Sequence, residues 1–469
     1  MHSSQLILPG MTPEDEASTY HDSARSGFFA ILVDSGNGRK KQTPYRLTDM
    51  ANVLKIVDPT LDTWLSQAEF IKPNRRVVNL ARIGLLFVDL DTYRKPWAEG
   101  RSPDELANAV LYFCAQDGIP LPSLLVFSGR GLQAKWLLDG TIPRRALPRW
   151  NACQAHLVDR LSELGADVAA KDASRVLRLV NTVNSKSHEV CRVVHVENGS
   201  DGQPVRYSFE FLAETLLPVA RWDLEKNRQD KAERRGKRQL KLLSGGQPGN
   251  LRSLSPRQLA WDRMEDLRLL SGLRGGVEEG ERMKHLFWRL NFLLLSGATN
   301  SSQMYYEASA LAREIGPTWG YRGKELMTLY SKSKAYEAGE KVTFGGQQYS
   351  PLYTPKNDTL INLFEITDDE QRKLRTIICK NISAERHRDR ERLRRRSAGT
   401  VDREAYLEAV QECSDIKRTQ AQELRAKGLS IRAIASQMGA SVGSVSSYIN
   451  AKDGVQSCVR ITNGVASDF

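Results

Sequence analysis

GLLFVDLD, residues 84–91, constrains the fold more than any other stretch. Four consecutive apolar residues, Leu85 to Val88, run directly into Asp89 and Asp91. An unbroken apolar run of this length reads as a buried strand. On a strand, residues two apart share a face, so the two aspartates leave its end pointing the same way. Two adjacent carboxylates repel unless a positive group stands between them, and a divalent cation is a common one. Taken alone, DLD has two other readings. Asp suits the turn that ends a strand, and the pair also occurs in transferases that bind a metal–nucleotide sugar.

Other short runs read as strands around it: FFAILVDS (28–35), PSLLVFSG (122–129), QAKWLLDG (133–140), RVLRLV (175–180) and CRVVHV (191–196). Helical stretches lie between them, at 102–118 and 148–165. In the first, Ser102 is placed as N-cap, Pro103 as N1 and Glu105 as N3, with Gly118 as the stop. Residues 1–215 therefore form one α+β domain. A basic linker, 216–255, follows; its stretch 225–241 holds eight basic and three acidic residues. Residues 256–345 are helical in pattern, with helices read at 282–297, 301–316 and 325–336. A basic helical connector spans 346–400, where 371–396 carries eleven Lys or Arg against three Asp or Glu. A last helical domain spans 401–452, and 453–469 is a flexible tail.

The chain of 469 residues carries a net charge of +12 and is 40% hydrophobic. No segment is apolar for long enough to cross a bilayer, and the N-terminus lacks the pattern of a secretory signal. The six cysteines are scattered without a CxxC, which fits reduced thiols in a cytoplasm and no structural zinc. With such a charge and no membrane segment, the expected partner is a polyanion, first of all nucleic acid.

SIRAIASQMGASVGSVSSYIN (430–450) has the spacing of a helix-turn-helix. Ser430 caps the first helix, whose inner face carries Ile431, Ile434 and Met438. Gly439 makes the turn, and Ser441 caps the second helix, which is expected to bury Val442, Val445 and Tyr448. A DNA-binding reading places Ser441, Gly443, Ser444, Ser447 and Asn450 toward a major groove. The plainer reading is a helical hairpin that merely packs.

Two further stretches carry chemistry. VFSGRGLQAKWLL (126–138) is a strand, a Ser-Gly-Arg-Gly turn and a second strand. Its glycines would let backbone amides approach an anion, while Ser128 and Arg130 supply a hydroxyl and a bidentate cation. In GADVAAKDASRVLRLVNTVNSK (165–186), Asp172 precedes Arg175 and Arg178, and Asn184 and Lys186 follow. Strict alternation separates Arg175 from Arg178, so one of them sits at the strand start.

In order along about 100 residues, FVDLD, SGRGLQ and KDASRVLRL resemble the three motifs of the archaeo-eukaryotic primase (AEP) superfamily, in the form found in replication primases of plasmids and mobile elements. The resemblance covers residues 25–215. It implies an RRM-like catalytic domain followed by all-α domains, and DNA-templated primer synthesis by two-metal nucleotidyl transfer. Asp89, Asp91 and Asp172 would hold Mg2+ or Mn2+, with Asp167 as the other candidate for the third acid. Ser128, Arg130, Gln133, Arg175, Arg178 and Lys186 would bind the nucleoside triphosphate. Where the family has histidine in its second motif, this chain has Gln133, which donates a hydrogen bond but carries no charge. The implied partners are single-stranded template, double-stranded origin DNA bound by the C-terminal motif, a host polymerase and a separate helicase, since no GxxxxGK[ST] occurs. The alternatives are a non-catalytic DNA-binding initiator or regulator on a decayed primase fold, and a nucleotide-sugar transferase.

Overall fold

The computed structural model describes residues 10–36, 39–217, 256–397 and 403–450. The basic linker from residue 218 onward and the tail at 453–469 lie outside the described residues. The chain divides into two compact units, Met1–Cys379 and Lys380–Phe469. The first unit holds both the α+β region and the helical region expected at 256–345.

Its main sheet is built from β1 (Phe28–Asp34), β2 (Lys40–Arg46), β3 (Asp62–Ser66), β4 (Ala68–Phe70), β5 (Leu80–Leu90), β6 (Leu124–Phe127), β7 (Leu132–Pro143) and β8 (Val176–Arg178). After a small ladder of β9 (Val183–Asn184) with β10 (Glu189–Val190), it is completed by β11 (Arg192–Val196) and β12 (Arg206–Tyr207). The order is β11-β6-β7-β5-β4-β1-β3-β8, with β2 on β1 and β12 on β7, and every pairing except β12 with β7 is antiparallel. All six strands read from the sequence are present, though RVLRLV contributes only Val176–Arg178, which leaves Arg175 just before the strand. β2, β3 and β4 were not legible. β2 is polar and largely solvent-facing with Pro44 in it, as suits an edge strand, and β4 has three residues.

Chain 62–70 bends between β3 and β4: its register against β1 changes from Ile31↔Leu65 to Phe28↔Phe70. Its far edge therefore pairs with β8 at one end and with β5 at the other. β5 and β8 diverge from this shared strand, and a cleft opens between them. Where β5 has left β4 behind, its main chain is satisfied by side chains of the Leu147–Arg160 helix. Trp150 Nε1 donates to Leu85 O at 2.9 Å, and Gln154 bonds both the N–H and the C=O of Phe87. Leu85, Leu86, Phe87 and Val88 are completely buried, as the unbroken apolar run predicts. The Pro103–Gln116 helix has the expected capping box: Glu105 N–H donates to Ser102 Oγ and Ser102 N–H to Glu105 Oε2.

A layer of helices, including Pro256–Leu273, Arg282–Leu295, Met304–Ile315 and Met327–Glu337, packs around Trp261, Leu267, Leu290 and Phe292. Charged side chains tie it to the turn that leads into β5. The buried Glu307 carboxylate accepts from Val77 N–H and Val78 N–H, both at 3.1 Å, and Arg268 donates to Val78 O. Burial pushes the Glu307 pKa up to about 7 despite those two hydrogen bonds.

The second unit contains the basic Lys380–Ser397 helix, a long Arg403–Ala426 helix and two short helices, Ile431–Met438 and Val442–Asn450. Ala421, Ile434, Ala435 and Val445 form its buried centre. Ser430 caps as expected, Gly439 adopts φ 61°, and Ser441 Oγ accepts Ser444 N–H at 3.0 Å. Val442 departs from the sequence reading and is half exposed, because the seam passes through Val445, Tyr448 and Ile449 instead.

Candidate active site

The end of β5 is paired on both edges. On one side Asp89 stands opposite Gln133 of β7. On the other, residues 165–167 run antiparallel to it: Asp91 N–H donates to Gly165 O and Asp167 N–H to Asp89 O, both at 2.8 Å, around a Leu90–Ala166 bridge. In that register Asp167 lies opposite Asp89, and Asp91 shares the face by alternation. Three carboxylates thus hang from one face of two adjacent strand ends. Gly165 has φ 96°, and a Cβ there would meet Asp91 O at 2.9 Å.

The sequence reading put the third acid at Asp172, with Asp167 as the other candidate. Asp172 does line the cleft, but its Oδ1 accepts from Ser174 N–H and Oγ, and it forms an ion pair with Arg175 at 3.2 Å. Asp167 is the acid whose charge acts on Asp89. Burial first, then the charges of Asp91 and Asp167, push the Asp89 pKa up to about 7, with Arg175 and Arg178 opposing.

The glycines of the SGRG turn serve close packing against the chain itself. A Cβ on Gly131 would meet Leu90 O at 2.2 Å, and one on Gly129, at φ 96°, would meet Asn184 Cβ at 2.6 Å. Ser128 Oγ donates within the turn to Gly131 O at 3.1 Å, and Asn184 Nδ2 donates to Ser128 O. The motif therefore braces the end of β5.

A cleft of about 1330 Å³ lies over this face. It gathers Asp89, Asp91, Asp172, Ser128, Arg130, Gln133, Arg175, Arg178 and Asn184; neither the exposed Lys186 nor Asp167, whose Oδ1 accepts from Ala169 N–H at 2.9 Å, is among its lining residues. Arg130 lies over the Tyr93 ring at 4.2 Å, and the Nε atoms of Arg130 and Arg175 are buried without a partner. Arg178 is held by Asp62 and by Val183 O, and lies over Trp64 at 4.8 Å. Burial works to raise the Asp62 pKa, yet hydrogen bonds from Ser185 and Arg178 overcome it and leave the carboxyl below its ordinary value. Gln133 is 2% exposed, and its Oε1 is buried without a partner beside Asp89.

Sequence reasoning missed Lys40, Trp64, Arg75 and Tyr93 in the lining, Asp62 behind Arg178, and the loop 297–303 that forms the opposite wall. Tyr93 lies in the Thr92–Arg94 turn just past the end of β5. Nothing local marks the others. Burial lowers the Arg75 pKa to about 10, with Asp172 among the opposing charges.

Among the described residues, no three His, Cys, Asp or Glu side chains stand close enough to form a ready-made metal-ligand set. The donor chemistry nevertheless fits a hard divalent cation. Three carboxylates share one face, and burial, with the charges of Asp91 and Asp167, drives Asp89 toward protonation, which a bound cation would reverse.

In the second unit Ser441, Gly443, Ser447 and Asn450 are exposed and Ser444 is half-buried. Ser441 is engaged as the helix cap, and Asn450 Nδ2 donates to Ser446 Oγ at 3.3 Å. Among the described residues, no helix is long and apolar enough to cross a membrane.

No protein-family model matches the chain. Over 312 residues it is 27% identical to a replication protein of Clostridium perfringens, an overlap covering 66% of this chain and 67% of that one. Its structural neighbours are primase domains. They include the AEP domain of the cyanophage S-2L primase-polymerase, at 15% identity over 43% of this chain and 95% of that one, with a TM-score of 0.31. Another is primase RepB′, at 16% identity over 67% and 96%, with a TM-score of 0.27. The catalytic domain of the same primase, in complex with initiator DNA, is similar at 14% identity over 47% and 97%, also at 0.27.

Proposed function

We propose that the chain is a replication primase of the archaeo-eukaryotic type, which extends a 3′-hydroxyl by nucleotidyl transfer on a single-stranded template. The observation that carries this reading is the set of three aspartates on one face of paired strand ends, below a wall of arginines. The similarity to a replication protein over two thirds of both chains supports it. Asp89, Asp91 and Asp167 would hold Mg2+ or Mn2+, which when bound activates the attacking hydroxyl and stabilises the departing pyrophosphate. Asp89 must give up its proton to bind a cation, so loading releases a proton and tightens as pH rises toward 7. Arg130, and Arg175 beside its partner Asp172, would take triphosphate oxygens. Arg178, already neutralised by Asp62, orients that wall. Gln133 meets the nucleotide as a neutral amide. In the second unit, the Val442–Asn450 helix would place Ser441, Gly443, Ser444, Ser447 and Asn450 against origin DNA and so tether the catalytic unit there.

Primer synthesis on single-stranded DNA with labelled ribo- or deoxynucleotides and Mg2+ or Mn2+ tests the reading. Wild type is expected to give product, Asp89→Ala/Asp91→Ala and Asp167→Ala none, and Asp172→Ala a reduced amount. No product from a wild type that still binds DNA would favour a non-catalytic initiator on a primase fold, with the uncharged Gln133 as the first suspect. Deleting 402–469 is expected to spare priming on generic DNA and abolish preference for origin DNA; equal loss of both would refute the tether.

A further inference from the structure

The Arg403–Ala426 helix has 24 residues, yet the two short helices that follow it cover only its C-terminal end, where Ala421 is buried and Leu424 packs against the same core. Upstream of Ala421, Tyr406, Leu407, Val410 and Ile416 are between 47% and 64% exposed, and Cys413 is exposed too. Tyr406, Ala409, Cys413, Ile416 and Gln420 recur in alternating steps of three and four. They are the a and d positions of a heptad, the seam of a two-stranded coiled coil.

The charges beside the stripe select its occupant. Glu412 falls at position g and Lys417 at position e. In a parallel, in-register pair, g faces the e position of the next heptad, so Glu412 would meet the partner's Lys417, and two-fold symmetry repeats the contact. An antiparallel pair sets g against g and brings the two Glu412 residues together near the centre of the stripe. We propose that this helix pairs in parallel with the same helix of a second copy of the chain, forming a two-fold homodimer through Tyr406, Ala409, Cys413 and Ile416. The seam from Tyr406 to Gln420 is about two heptads long, so the pairing is weak, with a Kd on the order of 10 μM. Its two-fold axis relates the two Val442–Asn450 helices, and the DNA that suits such a pair has inverted half-sites. The proposal is independent of the catalytic reading.

Sedimentation of the full chain and oxidative cross-linking in a Cys458→Ser background test it together. Wild type is expected to dimerise with rising concentration, and Ile416→Lys to sediment as a monomer with primer synthesis unchanged. Glu412→Lys should weaken association roughly tenfold, and Glu412→Lys/Lys417→Glu should restore it. That rescue is what a parallel register requires and simple packing does not. An in-register seam sets the two Cys413 residues opposite each other, so oxidation should trap a disulfide dimer that Cys413→Ser abolishes. A wild type that stays monomeric to about 100 μM, or a cross-link that survives Cys413→Ser, would overturn the proposal. Failure of the charge reversal to rescue would overturn the parallel register.

Discussion

Asp89→Asn tests the electrostatics of the acidic face without any assay of activity. In the unfolded chain this carboxyl ionises near 3.9; in the folded chain burial and the charges of Asp91 and Asp167 raise it to about 7. An acid raised by folding contributes most to stability at low pH, and that contribution drains away as pH climbs from about 4 through 7. The gap of about three pH units sets a ceiling of about 4 kcal/mol at pH 8. Asp89 is partly open to the cleft, so water and counterions reduce this to about 2 kcal/mol. Urea unfolding in EDTA should therefore find Asp89→Asn more stable than wild type by about 2 kcal/mol at pH 8 and by less than about 0.5 kcal/mol at pH 4. Saturating Mn2+ should close the gap at pH 8, because it stabilises the carboxylate and has little hold on the amide. A variant no more stable than wild type at pH 8, or equally stabilised at both pH values, would refute the claim that charge crowding strains this face.

Gly131→Ala puts a methyl group 2.2 Å from Leu90 O; it should lower stability by about 2–3 kcal/mol and abolish primer synthesis, read by unfolding and by gel. Glu307→Ala leaves the buried amides of Val77 and Val78 without their acceptor, a loss of about 2–4 kcal/mol that a urea titration would register. His21 and His285 are buried and neutral, with pKa values lowered by burial to about 4 and about 3. Their contribution is intact above the unfolded value near 6.5 and is lost as pH falls through their folded values. The melting temperature should therefore drop below pH 6.5, and His21→Gln/His285→Gln should flatten that drop.

Much of this architecture was legible because it rests on local rules. The run Leu85–Val88 is buried as its composition requires, Ser102 and Glu105 cap as their spacing requires, and alternation put Asp89 and Asp91 on one face. What escaped depends on pairing between distant segments. The sequence favours Asp172 as the third acid, directly before SRVLRL, and gives no sign that Asp167 and Gly165 bond to the main chain of β5. The bend between β3 and β4, which opens the cleft, comes from a register change with no compositional mark. Residues 297–303 read as the join between two helices, the second starting at 301 where the structure starts it at Met304, and nothing in them announces the wall they form. Val442 failed for a simpler reason: the first turn of a short helix can rotate an apolar residue outward when the next two turns supply the seam.

The stitching of residues 165–167 onto β5 also orders events during synthesis. Asp91 and Gly165 are neighbours in space but 74 positions apart in the chain, and the segment between them must form two strands and two helices before it returns. A nascent chain that ends before Gly165 already carries Asp89 and Asp91 but has no second edge beside them and no Asp167. The third carboxylate arrives only with that loop closure, so the acidic face is completed late, once much of the sheet beneath it has been made.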